Sequence, residues 1–232
     1  MVLRKWDALP DFMKCEEVKE YYNILEKRKA ELFLKRIFDI SFSSIMLMLF
    51  VIPMIIISIL IKVDSLGPVF YRQERITTYG KKFKIHKFRT MVKDADRIGT
   101  TITVDSDSRI TNIGKILRRF RIDEFPQLLD VLSGNMSFVG TRPEITKYVK
   151  QYNREMYATL LLPAGITSEA SIYYKDEGKL LNNSEDVEKT YVECVLPGKM
   201  KYNLNSIRKF GLIREFGIMF RTIFAVLERE YR

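Results

Sequence analysis

The chain has 232 residues, 47% of them hydrophobic and 29% charged, with a formal net charge of +10. The charged fraction excludes a polytopic membrane protein, and the hydrophobic fraction excludes a mainly disordered chain. The basic excess points to an anionic partner: nucleic acid, a phosphorylated substrate or acidic lipid.

Residues 1 to 34 form a polar, charge-dense extension, and Asp11 to Glu31 has the character of a surface helix, with Val18, Tyr21, Tyr22 and Leu25 on one side. Then comes a discontinuity. From Ile40 to Ile61 no residue is charged. As a helix the run would be about 33 Å long, against a hydrocarbon core of roughly 30 Å. Basic residues flank it on both sides: Lys27, Arg28, Lys29, Lys35 and Arg36 before it; Lys62, Arg72, Arg75, Lys81 and Lys82 after it. A spanning helix carries such residues mainly on one side. Pro53 lies inside the run and breaks or kinks a helix there. Ser43, Ser44 and Ser58 are positioned to satisfy freed backbone groups. The expectation over 35–62 is a helix-break-helix that enters one leaflet and returns, with a tilted spanning helix as the alternative.

Residues 63–232 read as a separate, polar domain. Val69 to Arg75 and Lys82 to Phe88 form a β-hairpin about the turn Thr78-Tyr79-Gly80. Asp94 to Ser108 is a loop. Thr111 or Asn112 caps a helix over NIGKILRRFRI. Pro126 falls in the first turn of a second helix, which Ser133 and Gly134 end. Ile145 to Leu162 reads as a helix stopped by Pro163, and Asp176 to Lys201 as mixed helix and loop. Ser206 to Leu227 reads as an amphipathic helix, interfacial or core-packed. The fold class is α+β, mainly α.

Chemistry concentrates between Gly114 and Glu144. Asp123 and Glu124 are adjacent, with Arg118, Arg119 and Arg121 close by. On a helix the two carboxylates diverge by about 100°, so one can attack while the other binds a metal. Arginine forks bind phosphate, and magnesium takes one or two carboxylates plus substrate phosphates. These are parts of a phosphoryl-transfer site, although an exposed ion-pair cluster has the same spacing. His86 is the only histidine, which removes His-dependent triads and multi-histidine zinc sites. Cys15 and Cys194 have no nucleophile context. No Walker or dinucleotide fingerprint occurs, and no nucleic-acid motif supports that use of the charge.

Six ordered motifs carry a family resemblance: KRIFDI at 35–40, GPVFYRQER at 67–75, KFRTM at 87–91, DSRIT at 107–111, the 114–144 block and PAGIT at 163–167. The chain resembles the bacterial sugar transferases, the monotopic polyprenyl-phosphate phosphoglycosyl transferases. The resemblance implies transfer of a sugar-1-phosphate from a UDP-sugar to polyprenyl (undecaprenyl) phosphate, with release of UMP, as a first membrane step of glycan assembly. It implies a covalent phosphosugar intermediate on Asp123, with Glu124 as magnesium ligand and catalytic partner. It associates Arg118, Arg142 and Arg89 with phosphate binding. It implies membrane lipids as neighbours, a cytoplasmic face of the bacterial inner membrane, and allows a homodimer. A non-catalytic membrane adaptor of a glycan assembly complex is the competing reading. The chain departs from the family's usual pattern in having Ile52-Pro53 for Ser-Pro, D-E-F-P-Q for D-E-L-P-Q, and G-T-R-P for G-P-R-P. After PAGIT it reads SEASIYYKDEGKLL, where Glu169, Tyr173 and Lys175 are candidates for the sugar pocket by position.

Overall fold

In chain order the elements are α1 (Glu16–Glu26), α2 (Lys29–Asp64), β1 (Phe70–Ile76), β2 (Lys82–Phe88), α3 (Asn112–Arg119), α4 (Leu128–Leu132), β3 (Met136–Val139), α5 (Thr146–Val149), β4 (Ala164–Thr167), α6 (Glu169–Tyr173), α7 (Val187–Thr190), α8 (Leu196–Arg208) and α9 (Leu212–Glu228). The computed structural model describes residues 3–95, 107–175, 178, 181 and 186–228. Most of the expected loop over 94–108, and parts of the region 176–201, lie outside the described residues.

The apolar run lies within α2. At 36 residues this helix is about 54 Å long. It is long and apolar enough to cross a membrane. The helix runs through Pro53 without interruption, in place of the expected break. Proline removes the N–H that would bond the Leu49 carbonyl. The three serines do not serve that carbonyl: Ser43 and Ser44 donate to Ile40 O, and Ser58 donates to Met54 O at 2.7 Å.

One stripe of α2 is bound to the rest of the fold along its whole length. Lys35 pairs with Glu215 of α9 and donates to Val139 O at 2.9 Å. Arg36 caps α4, donating to Val131 O at 2.6 Å and Leu132 O at 2.8 Å. Asp39 is buried and accepts from Ser137 Oγ at 3.1 Å and Phe138 N at 3.2 Å. Phe38, Phe42, Met46 and Phe50 then pack against β2, α4, β3 and α9. Met54, Ile57 and Ile61 meet Phe88 and Leu117. At the far end Asp64 accepts from Ile113 N at 3.0 Å, at the start of α3. The spacing of three and four along this series is a single helical face. The opposite face exposes Met48, Leu49, Ile52, Ile55, Ile56, Ile59 and Val63.

The hairpin forms as expected. β1 and β2 pair antiparallel with Phe70 opposite Phe88 and Ile76 opposite Lys82. Tyr79 at φ 58° and Gly80 at φ 76° close the turn. The N-terminal stretch seats this turn: Tyr79 OH accepts from Arg4 N at 3.0 Å. Leu3, Leu9 and Met13, with Val18, Tyr21 and Leu25 of α1, share a core with Leu160, Leu161 and Leu204.

Five expected helices differ. The one expected over Asp11 to Glu31 is a 3-10 turn, Asp11–Met13, followed by α1, and α4 starts only at Leu128, with Pro126 in a 3-10 segment before it. NIGKILRRFRI stops at Arg119; Thr111 caps it by accepting from Gly114 N at 3.0 Å. The stretch 145–162 divides into α5 and a 3-10 segment, Glu155–Leu161, because Asn153 Oδ1 accepts from Met156 N and starts the second piece. Ser206 to Leu227 divides into α8 and α9 across Lys209, Phe210 and Gly211. A parallel pair was not foreseen. β3 and β4 align Met136 with Ala164 and Val139 with Thr167. The glycine of PAGIT has a steric cause: a Cβ on Gly165 would lie 2.2 Å from Gly140 N. α9 combines both expected roles, burying Ile218 while exposing Ile213, Phe220, Ile223 and Phe224.

Removing Asp39 strands a buried hydroxyl and a buried N–H. Asp39→Ala should therefore cost about 2 kcal/mol of unfolding free energy, measured by denaturant titration of the detergent-solubilised chain. Asp39→Asn, which keeps an acceptor oxygen, should lose less than half as much.

Candidate active site

The dipeptide Asp123-Glu124 sits where three segments converge. α3 ends at Arg119, and Arg121 takes a left-handed conformation at φ 57°. That turn redirects the chain into a 3-10 segment, Ile122–Gln127, with Pro126 inside it. Such a conformation is uncommon for a side chain other than glycine. A 3-10 turn holds three residues, so neighbouring side chains diverge by about 120° rather than the 100° of an α-helix. Asp123 and Glu124 are both buried and face different surroundings.

Glu124 is surrounded by cations. Lys87 Nζ of β2 donates to its Oε1 at 2.9 Å. Arg142, just beyond β3, donates through Nη2 to Oε1 at 2.6 Å. Arg142 Nη1 lies 3.4 Å from Oε2, and Arg121 Nη1 is 3.8 Å from Oε1. Burial pushes the Glu124 carboxyl up, but Arg142, Lys87 and Arg121 together outweigh it and hold it well below the ordinary carboxylate value. Asp123 is the reverse. Burial and the neighbouring Glu124 charge raise it, against the pull of Lys87, Arg121 and Arg118. Its Oδ1 is buried with no hydrogen-bond partner. A buried carboxylate oxygen with an unused lone pair is costly and is available for reaction.

Two clefts flank the pair. One, of about 570 Å³, is polar and is lined by Asp123, Lys87, Arg118, Arg75, Arg89 and Tyr71 among others. The second, of about 370 Å³, lies on the Glu124 side and is walled largely by apolar side chains of α2, α6 and α9. Arg118 and Asp123 thus share one cleft, and burial lowers the Arg118 guanidinium's affinity for its proton. Arg142 binds Glu124 directly and opens onto the second cleft. Arg89 lines the polar cleft, yet its guanidinium is engaged elsewhere: Nη1 donates to Leu66 O at 2.8 Å and Nη2 to Ser65 O at 2.6 Å. It closes the end of α2. Pro53 stands apart from both clefts, inside α2.

Lys87 is the site residue that motif reading passed over. It stands two positions before Arg89 in KFRTM; Lys87 lies in β2, Arg89 just past its end, and both line the polar cleft. His86 points the other way and is structural: Nδ1 lies 2.8 Å from Asp130 Oδ1, and His86 N donates to Asp130 Oδ2 at 2.8 Å. Of the three residues suggested by position after PAGIT, Glu169 is tied to Arg214 at 2.8 Å and Arg221 at 2.9 Å. Tyr173 stacks on Tyr202, and Lys175 lines the apolar cleft. None of the three lines the Asp123 cleft.

No group of three or more His, Cys, Asp or Glu side chains is placed to hold a metal among the described residues. A magnesium ion fits only on a small protein donor set. Glu124 Oε2, with its long 3.4 Å contact to Arg142, has a lone pair to give, and the remaining ligands would be phosphate oxygens.

The model for the bacterial sugar transferase family matches residues 30–229. The chain belongs to that family. It is 34% identical over 199 residues to the UDP-N-acetylgalactosamine-undecaprenyl-phosphate N-acetylgalactosaminephosphotransferase of Aeromonas hydrophila, covering 84% of this chain and 44% of that protein. It is 41% identical over 160 residues to a putative undecaprenyl-phosphate N-acetylgalactosaminyl 1-phosphate transferase of Bacillus subtilis, covering 68% and 87%. It is 34% identical over 196 residues to the UDP-glucose:undecaprenyl-phosphate glucose-1-phosphate transferase of Escherichia coli, covering 82% and 39%. The chain therefore spans less than half the length of the Aeromonas and Escherichia proteins and most of the Bacillus one.

The two carboxylates should respond oppositely to neutralisation. For Glu124 the favourable contribution is present above the ordinary value of 4.5 and is lost as the pH falls through its lowered value. For Asp123 it is present below the ordinary value of 3.8 and is lost as the pH rises through its raised value. At pH 7, Glu124→Gln should cost about 2 kcal/mol. The cost is limited because the Arg142 side chain keeps 34% of its surface in solvent. Asp123→Asn should hold or raise the melting temperature. Thermal unfolding of the two variants at pH 7 checks both signs.

Proposed function

We propose that this protein transfers a sugar-1-phosphate from a UDP-sugar to polyprenyl phosphate in two displacements through Asp123. The observation that carries the reading is the buried, unpartnered Oδ1 of Asp123 at the wall of a cation-lined cleft. Beside it, Glu124 is held ionised by Lys87 and Arg142. The relatives' names support the reaction class, since the Aeromonas and Escherichia proteins are named for such transfers.

In the first step an Asp123 oxygen attacks the phosphorus that bears the sugar. The Asp–O–P bond forms, the anhydride P–O bond breaks, and UMP leaves with the bonding pair. Attack by an anion on a diphosphate is opposed by charge, so cations must be in place beforehand. Arg118 and Lys87 supply them in the polar cleft. Glu124, by holding Lys87 and Arg142, keeps those cations in place. In the second step an oxygen of the lipid phosphate attacks the same phosphorus. The Asp–O–P bond breaks, and the carboxylate returns. Splitting the transfer allows UMP to depart before the lipid arrives. Magnesium is the proposed cofactor; Glu124 would hold it, and when bound it neutralises diphosphate charge. Arg89 is left out of phosphate binding, because Ser65 and Leu66 occupy its guanidinium.

We further read the membrane geometry as one-sided. Lys35, Arg36 and Asp39 at the start of α2 and Asp64 at its end dock on the same body. A helix that crossed the bilayer would carry one of those ends about 30 Å away from the domain. The outward apolar face lies instead in one leaflet, with the catalytic domain on the cytoplasmic side, where basic flanks meet anionic headgroups.

The proposed reaction predicts a phosphosugar adduct on Asp123 and UMP release that requires magnesium. Mass spectrometry after mixing with UDP-sugars, without lipid, should find the adduct. Asp123→Asn should lower turnover by at least about 10³-fold; wild-type turnover in that variant sinks the mechanism. UMP release insensitive to both Asp123 and Glu124 changes would leave only an adaptor. For topology, single cysteines at positions 27 and 66 should react with an impermeant thiol reagent from the same side, once Cys15 and the exposed Cys194 are replaced. Labelling from opposite sides would overturn the one-leaflet reading.

A further inference from the structure

Beyond Glu124 and Arg142 at its edge, the second cleft is not used in the first displacement, yet it abuts the same dipeptide. Its walls are Met46 and Phe50 of α2, Ile172 of α6, and Ile223 and Val226 of α9. Its rim carries Arg119, Arg121, Arg142 and Lys175, against the single carboxylate of Glu124. The cleft therefore pairs a hydrocarbon interior with a cationic edge. The hydroxyls and phosphates of a sugar nucleotide gain nothing from such walls, and only its base could stack there. A phosphorylated isoprenoid matches both parts.

The position of the cleft supplies the second argument. Two of the three helices that wall it carry exposed apolar faces: Leu49 and Ile52 on α2, Phe220 and Phe224 on α9. The interior of the cleft thus continues into the surface we read as lying in the leaflet. A lipid can enter sideways without leaving hydrocarbon. Glu124 and Arg142 form the ridge between this cleft and Asp123. In-line displacement also fixes an order. The second attack must come from the side opposite the Asp123 oxygen, which is the position UMP has vacated. The acceptor's phosphate therefore crosses the Glu124–Arg142 ridge while its chain stays behind.

We propose that this cleft is the acceptor site. It holds the first isoprenoid units of polyprenyl phosphate between Phe50, Ile172 and Val226, and the rim cations gather its phosphate. The proposal rests on the transferase reading above. It assigns the segment after PAGIT, through Ile172 and Lys175, to the lipid rather than to the sugar.

The test separates the two half-reactions in the full chain in detergent. Ile172→Trp and, independently, Val226→Trp fill the cleft; Lys175→Gln removes a rim cation. Single-turnover UMP release without lipid reads the donor step. Steady-state turnover against undecaprenyl phosphate reads the acceptor KM. We expect the donor step to stay within twofold in all three variants. The acceptor KM should rise at least tenfold in each tryptophan variant and several-fold in Lys175→Gln. Two tryptophan sites on different helices guard against one variant failing to fold. An unchanged acceptor KM in a folded tryptophan variant overturns the proposal. So does a parallel loss in the donor step, which would give the cleft to the nucleotide. Loss of co-purifying phospholipid with an unchanged KM would give it to a bilayer lipid and also overturn it. If the native chain releases no UMP at all, the transferase reading itself has failed, a result distinct from all of these.

Discussion

The site depends on how two adjacent buried carboxylates divide three cations between them. Glu124 takes Lys87, Arg142 and the more distant Arg121. Asp123 takes none as a hydrogen-bond partner of Oδ1. Two like charges at this spacing cannot be equally well ionised in a buried setting. The asymmetry follows from the local backbone. The left-handed turn at Arg121 and the 3-10 segment after it point the two side chains in different directions. Glu124 then meets the strand that carries Lys87 and the loop that carries Arg142. Without those partners the Glu124 carboxylate would be strongly disfavoured at this depth.

The long helix couples this arrangement to the membrane. Its first turns are fixed by polar contacts that need specific geometry: Lys35 on Val139, Arg36 on the end of α4, Asp39 on β3. α4 follows directly from the 3-10 segment of Asp123 and Glu124. β3 leads directly to Arg142. The helix is therefore joined, within a few residues, to the segment that follows Asp123-Glu124 and to the strand that leads to Arg142. Its other end is closed by Arg89, which directly follows the strand that carries Lys87. An apolar helix with nothing but packing contacts would leave the position of the site along the helix undetermined. These charged clamps set it.

Much of this was legible in the sequence where local chemistry decides the outcome. The hairpin follows from alternation and a glycine turn, the start of α3 from the Thr111 cap, and the end of α4 from Gly134 at φ 82°. The pairing of β3 with β4 was not legible. Both segments are four residues long and nearly fully buried, so neither shows an alternating pattern. Their partners lie far apart in the chain. The uninterrupted passage of α2 through Pro53 was also hidden, since the packing that holds the helix on both sides of the proline is tertiary. Asp123 and Glu124 stand out in the sequence by their adjacency. Arg89 and Lys87 exchanged emphasis, because a motif names neighbours without saying which one a strand turns towards a carbonyl and which towards a carboxylate.

The placement of the segment after PAGIT alters the meaning of its unusual sequence. As a linear pattern, SEASIYYK suggested an altered sugar pocket. In the fold its first part is structural: Ser168 accepts from Ser171 N at 3.0 Å to cap α6, and Glu169 ties α6 to Arg214 and Arg221 of α9. Those ion pairs hold α9 at the distance from α6 that leaves a cleft between them. Ile172 and Lys175 then face the space so formed. A change at Glu169 would thus act on the apolar cleft through the position of α9, without touching the polar cleft where Asp123 lies. Differences along this segment between related chains are, by that geometry, differences on the Glu124 side of the ridge. On the proposed reaction, discrimination among sugars falls to the other side, among the residues that β1, β2 and α3 present to the cleft of Asp123.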